Sequence, residues 1–80
     1  MDLFTLGNTI ATMRRQKKVS QQVMADDLDV SRATINALEN GRSGDVGVRK
    51  VIKILDYLGY ELSVREKSLF PTLEELRDEQ

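Results

Sequence analysis

Arg32, Ala33, Asn36, Ala37 and Asn40 recur at i, i+1, i+4, i+5 and i+8, a spacing that gathers them on the outward stripe of a helix whose opposite side carries Ile35 and Leu38. A guanidinium fork pairs with two acceptors at once, so Arg32 near the helix start suits the O6 and N7 of guanine. A carboxamide offers a donor and an acceptor, so Asn36 suits adenine, and the methyls of Ala33 and Ala37 suit the methyl of thymine. Alanine is also simply a good helix former, and an exposed arginine or asparagine is ordinarily solvated polarity. Taken together, the stripe has the chemistry to read base-pair edges in a major groove. Around its rim stand residues of the types that hold phosphate: Ser20 and Gln21 at the start of a second helix, whose free N–H groups attract anions, Asn40 at the end of the stripe, and Arg42 and Ser43 beyond it. Lys17 and Lys18 add nonspecific attraction, or serve equally as solubilising charge.

Few other chemistries are open to this chain. Its 80 residues contain neither cysteine nor histidine, which removes disulfides, thiolate and imidazole metal sites, cysteine catalysis and the usual general base, leaving carboxylates, lysines and hydroxyls for any catalysis. No catalytic constellation is present, so no enzyme activity, metal or cofactor is expected. The absence of cysteine fits a reducing compartment. No apolar run is long enough to span a membrane, and Asp2 follows Met1 where a signal sequence would be basic and then apolar, so a bacterial cytoplasmic location is expected, on the nucleoid when DNA is bound. The formal net charge of -1 hides an uneven distribution. Residues 1–53 hold nine Lys/Arg against six Asp/Glu, and residues 54–80 hold three against seven. A basic front and an acidic tail suit two different partners, although solvated surface charge accounts for much of the same pattern.

The elements that must position the stripe follow from periodicity and caps. Leu3, Leu6, Ile10 and Met13 define one face of a first helix ending near Gln16, before a basic turn at Lys17 and Lys18. Ser20 is the N-cap of a short second helix over residues 20–28, with Met24, Ala25 and Leu28 inward; Asp29 and Val30 break it. Ser31 caps a third helix over residues 31–40, which Gly41 ends. After an exposed loop at residues 42–47, Val48, Val51, Ile52, Leu55 and Leu58 form the apolar stripe of a fourth helix that stops at Gly59. Tyr60, Leu62 and Val64 then alternate with Glu61, Ser63 and Arg65 at the period of a half-buried strand. A lone strand leaves its backbone groups unpaired, so its natural partner is the same strand of a second copy across a two-fold axis; the plainer reading is an extended linker. A chain this short buries only a modest core, which also favours association.

Two short helices joined by a tight turn form the unit that presents its second helix to DNA. The stretch SQQVMADDLDVSRATINALENG resembles the helix-turn-helix of the lambda-repressor/Cro-like (XRE) family, and the likeness extends over about residues 6–58. It departs from the pattern at Asp29, where the family usually carries glycine, and at Val23, where a polar residue is usual. The resemblance implies that Arg32, Ala33 and Ala37 occupy base-reading positions, that Gln21 grips the DNA backbone, and that Arg14 and Glu39 form a structural ion pair joining the first and third helices. The segment GYELSVR looks like HipB-type antitoxins, in which the resemblance implies a C-terminal strand forming an intersubunit sheet, and a HipA-like serine/threonine kinase toxin as partner.

The expected architecture is therefore mainly α: a lambda-repressor-like domain of about four helices over residues 1–65, with one C-terminal strand pairing across a homodimer. An acidic tail over residues 66–80 follows. There Pro71, Thr72 and Glu75 start a possible short helix, with Leu69, Phe70, Leu73 and Leu76 as anchors for the toxin, or else the terminus frays. The expected function is repression at a two-fold operator, autoregulating an operon as a toxin's antitoxin. The competing readings are a stand-alone repressor and a scaffold module that uses the same helices to bind protein.

Overall fold

The computed structural model describes residues 2–42, 44 and 47–67 and consists of four α-helices: α1 (Leu3–Gln16), α2 (Gln21–Leu28), α3 (Arg32–Glu39) and α4 (Val48–Tyr57). Three of them start on a side-chain cap. Asp2 accepts from the Thr5 N–H, Ser20 from Val23 and Ser31 from Thr34. Capping by the Thr5 N–H holds the Asp2 carboxyl below its ordinary range. Asp29 closes α2 in the left-handed conformation, φ 57°, and its N–H reaches the carbonyls of Ala25 and Asp26. Aspartate tolerates this region better than most residues, which explains why it can stand where glycine is usual.

Ile10, Met24, Ala25, Leu28, Ile35, Leu38, Val51, Ile54, Leu55 and Leu58 form one core to which all four helices contribute. The buried side of α1 differs from the expected stripe. Leu3 is exposed and Leu6 and Met13 are only partly covered, whereas Gly7, Ile10, Ala11 and Arg14 are buried. The cause is backbone proximity: a Cβ built on Gly7 would collide with the Leu38 carbonyl oxygen and lie 3.0 Å from that of Glu39. Close approach at Gly7 turns the helix so that Gly7, Ile10, Ala11 and Arg14 lie on its buried side and Leu3 does not. Gly41 is fixed twice over, by φ 67° and by Phe4, whose Cα would lie 2.9 Å from an added Cβ.

Along α4 the core side is Val51, Ile54, Leu55 and Leu58. Val48 and Ile52, expected inward, are 65% and 48% exposed, because Ile54 rather than Ile52 completes the inward arc. Residues 60–67 form no strand, and among the described residues there is none anywhere. A strand exists through its ladder, and no described segment of the single chain pairs with residues 60–65. Tyr60, Leu62 and Val64 are instead exposed. The anchors Leu69, Phe70, Leu73 and Leu76, like the rest of 68–80, lie outside the described residues. No helix among the described residues is long and apolar enough to cross a membrane.

Candidate nucleic-acid interface

The outward face of α3 is built from short-range rules and then locked to the rest of the domain from below. Ser31 orients the first turn, leaving Arg32 and Ala33 exposed, with Asn36 and Ala37 half-buried one turn later and Asn40 exposed at the end. Among the described residues Arg32 keeps its guanidinium free of any ion pair, so none of them competes with a base edge for it.

Beneath this face Arg14 and Glu39 are both buried and meet in two parallel bonds: Arg14 Nε donates to Glu39 Oε2 at 2.6 Å and Nη2 donates to Oε1 at 3.0 Å. Arg14 Nη1 donates to the Val19 carbonyl at 2.7 Å, which ties the pair to the turn entering α2. The bidentate geometry and the extra carbonyl leave no buried polar side-chain atom unsatisfied among the described residues, the condition under which a buried ion pair is tolerable. Its consequence is directional. The pair holds α1, the start of α2 and the end of α3 in one frame, so the pitch of α3 cannot drift.

Gln21 extends this frame outward. Its Nε2 donates to Glu39 Oε1 at 3.0 Å and to Asn36 Oδ1 at 3.5 Å. Asn40 Nδ2 donates to the Asn36 carbonyl at 2.8 Å and to Asn36 Oδ1 at 2.9 Å. Gln21 therefore spends its side-chain N–H groups inside the protein, and the anion-attracting groups left at this helix start are backbone N–H donors. Lys17 is likewise engaged, its Nζ lying 6.0 Å from the centre of the Tyr60 ring. Lys18 occupies a left-handed turn at φ 59° and Arg42 is exposed after α3, both open to phosphate; Ser43 lies outside the described residues.

Two helices of eight residues each, joined by a three-residue turn with the second presenting an unpaired arginine, are the architecture of a DNA reader. The helix-turn-helix family model matches residues 10–64. The chain belongs to that family. Membership gives this chain the helix-turn-helix domain of that family over most of its length. Among solved structures it is similar to apo-HppE and to Fe(II)-HppE with the alternative substrate (S)-1-HPP, each at 23% identity and TM-score 0.70, with 76% of this chain covered in both. The match covers 34% and 31% of those chains, so this chain spans about a third of their length, and the likeness establishes the fold alone. No curated protein matches it.

Sequence reasoning on the helix-turn-helix missed the Gln21–Asn36–Asn40 relay and a second tie outside the interface, the Tyr57 O–H donating to Asp27 Oδ2 at 2.5 Å and joining α4 to α2. The relay had a signal, since Asn36 and Asn40 stand one turn apart. The tyrosine contact, 30 positions apart in sequence, had none.

Proposed function

We propose that this protein is a transcriptional repressor that binds a two-fold operator as a homodimer, and that it is the HipB-like antitoxin of a toxin–antitoxin pair, with no catalysis of its own. The observation that carries the DNA-reading part is the unpaired Arg32 at the exposed start of a helix whose underside is clamped by Arg14 and Glu39. Arg32 with Ala33, Asn36 and Ala37 supplies base contacts; backbone N–H groups at Ser20 and Gln21, with Arg42, Ser43 and Lys18, supply phosphate contacts.

The homodimer reading rests on uncovered apolar surface. Ile52 on α4 and Leu62 after it line an open groove together with Arg49, Lys53, Asp56, Tyr60 and Glu61. A second copy laid antiparallel over this groove would supply a ladder for residues 60–65 and cover Leu62 and Ile52 in one step. The half-sites then lie about 34 to 36 Å, or a multiple of that, apart. The antitoxin reading rests on the likeness of GYELSVR to HipB-type proteins and on the acidic composition of residues 66–80, which suits a basic surface on a HipA-like kinase.

One experiment addresses all of this: capture of the tagged protein from its own host, with identification of both bound protein and enriched DNA. Recovery of an operator upstream of its own gene together with a neighbouring kinase is the expected result. Recovery of the operator without a kinase would reduce the reading to a stand-alone repressor, and recovery of proteins with no DNA would replace it with a scaffold.

A further inference from the structure

Sequence chemistry permits Asn36 to pair with adenine, using Oδ1 to accept from N6 and Nδ2 to donate to N7. The hydrogen-bond relay forbids the first of those bonds. Its logic runs inward to outward. Glu39, in its ion pair with Arg14, only accepts, so Gln21 must turn its NH₂ group toward it, 3.0 Å away. The Asn36 backbone carbonyl also only accepts, so Asn40 must turn its NH₂ group toward Asn36, 2.8 Å away. Facing two NH₂ groups, the Asn36 carboxamide is settled with Oδ1 inward, where it accepts from Gln21 at 3.5 Å and Asn40 at 2.9 Å. Both lone-pair positions of Oδ1 are filled. What remains is Nδ2, a pure donor without a protein partner among the described residues.

We infer that Asn36 reads guanine, and that Gln21 and Asn40 are the positioning residues that make it do so. This rests on the DNA-binding reading above. A group that only donates is matched by guanine, whose major-groove edge presents two acceptors, O6 and N7, and no donor. Cytosine presents an N4–H donor there, adenine places its N6–H donor beside N7, where it meets the N–H of Asn36 without an acceptor to receive it, and thymine offers a single acceptor, O4, against the two of guanine. The preference is thus encoded two bonds away from the DNA, by the ion pair that orients Gln21.

The test is selection from a library of randomised duplexes at low salt with the full chain, its Asn36→Ala variant and the Gln21→Ala/Asn40→Ala double variant, each checked by thermal melting. The expected wild-type motif holds guanine, about tenfold over adenine, at the one position that Asn36→Ala flattens; tenfold lies within the discrimination of a good amide–base pair. Freeing Oδ1 in the double variant should level or reverse that ratio toward adenine without flattening other positions. Should the double variant fail to fold, Asn36→Asp serves instead: it keeps both inward acceptor bonds, replaces the outward donor by an acceptor, and should exchange guanine for cytosine. Adenine, thymine or cytosine at the Asn36-dependent position of the wild type, no position dependent on Asn36, or guanine retained by Asn36→Asp would each overturn the inference. Failure of the wild type to enrich any duplex would instead remove the DNA-binding reading beneath it.

Discussion

Arg32 and Arg14 are the same side chain in opposite roles, and burial alone separates them. Arg32 is exposed and unpaired, so its truncation should leave the fold intact; Arg32→Ala is expected to lower preference at one base position by about 1 to 3 kcal/mol, read from competition binding against single-base operator variants. Arg14 lies against Glu39 in the interior, and Glu39→Ala leaves that guanidinium without its partner. Denaturant melts should show a loss of about 3 to 5 kcal/mol, whereas Arg14→Met/Glu39→Leu should recover most of it, since removing both charges spares the desolvation of either. The double variant should still lose base preference, because Gln21 has lost the carboxylate that orients it. Titration gives a third residue-scale outcome. The hydrogen bond to Asp27 raises Tyr57 above its ordinary value of 10.0 by favouring the protonated phenol. That contribution is complete below pH 10, is lost as pH rises through the elevated value, and should vanish from the alkaline limb of the stability curve in Tyr57→Phe. Of these roles, the outward stripe was legible from spacing, because a helical period reports which residues share a face. The Arg14–Glu39 pair was legible only through resemblance. The tie between Tyr57 and Asp27 was not legible, because nothing local marks a partner on another helix.

At the scale of elements, caps were easier to read than faces. Ser20, Ser31, Gly41 and Gly59 mark helix ends through the hydrogen bonds and dihedral angles their own side chains permit, and the helices end where these residues stand. Which face a helix buries depends on what approaches it. Counting apolar side chains selected Leu3, Leu6, Ile10 and Met13 on α1, of which Ile10 is buried and Leu6 and Met13 pack against the core, but it passed over Gly7, which has no hydrophobicity to count yet sets the distance between α1 and α3. The same counting placed Val48 and Ile52 inward on α4, where no described residue covers them. Gly7 therefore offers a sharp prediction. In Gly7→Ala the added methyl meets backbone carbonyls at Leu38 and Glu39, which cannot rotate aside as a side chain would. A loss of about 3 kcal/mol, the upper end for overpacking, is expected in denaturant melts. Because those carbonyls belong to the last turn of α3, operator affinity of the folded fraction should fall too. An unchanged melt would mean that α1 and α3 pack farther apart than the structure places them.

For the whole molecule, the decisive question is what a single copy leaves unfinished. The net charge of -1 gives no long-range pull toward DNA, so on the proposed homodimeric reading affinity comes from local cations and from engaging two half-sites at once. Linking two half-site contacts raises apparent affinity by about 10² to 10⁴ without any new contact, provided that the linkage is rigid enough to span them. The surface able to make that link is the one bearing Ile52 and Leu62, at 48% and 51% exposure, flanked by Arg49 and Lys53 toward one end and Asp56 and Glu61 toward the other. An antiparallel two-fold pairing sets each basic end against the partner's acidic end, whereas a parallel arrangement would oppose like charges. Placing a carboxylate in the apolar strip should defeat the pairing without touching the core, since Leu62 lies outside it. Leu62→Asp is expected to sediment as a monomer with an unchanged helical signal, to bind an isolated half-site as the parent does, and to lose at least about a hundredfold in affinity for the two-fold operator. Its salt dependence on that operator should also fall to about half, because one copy neutralises half as many phosphates. A Leu62→Asp protein that still sediments as a dimer would move the interface elsewhere while leaving the reading face of α3 untouched.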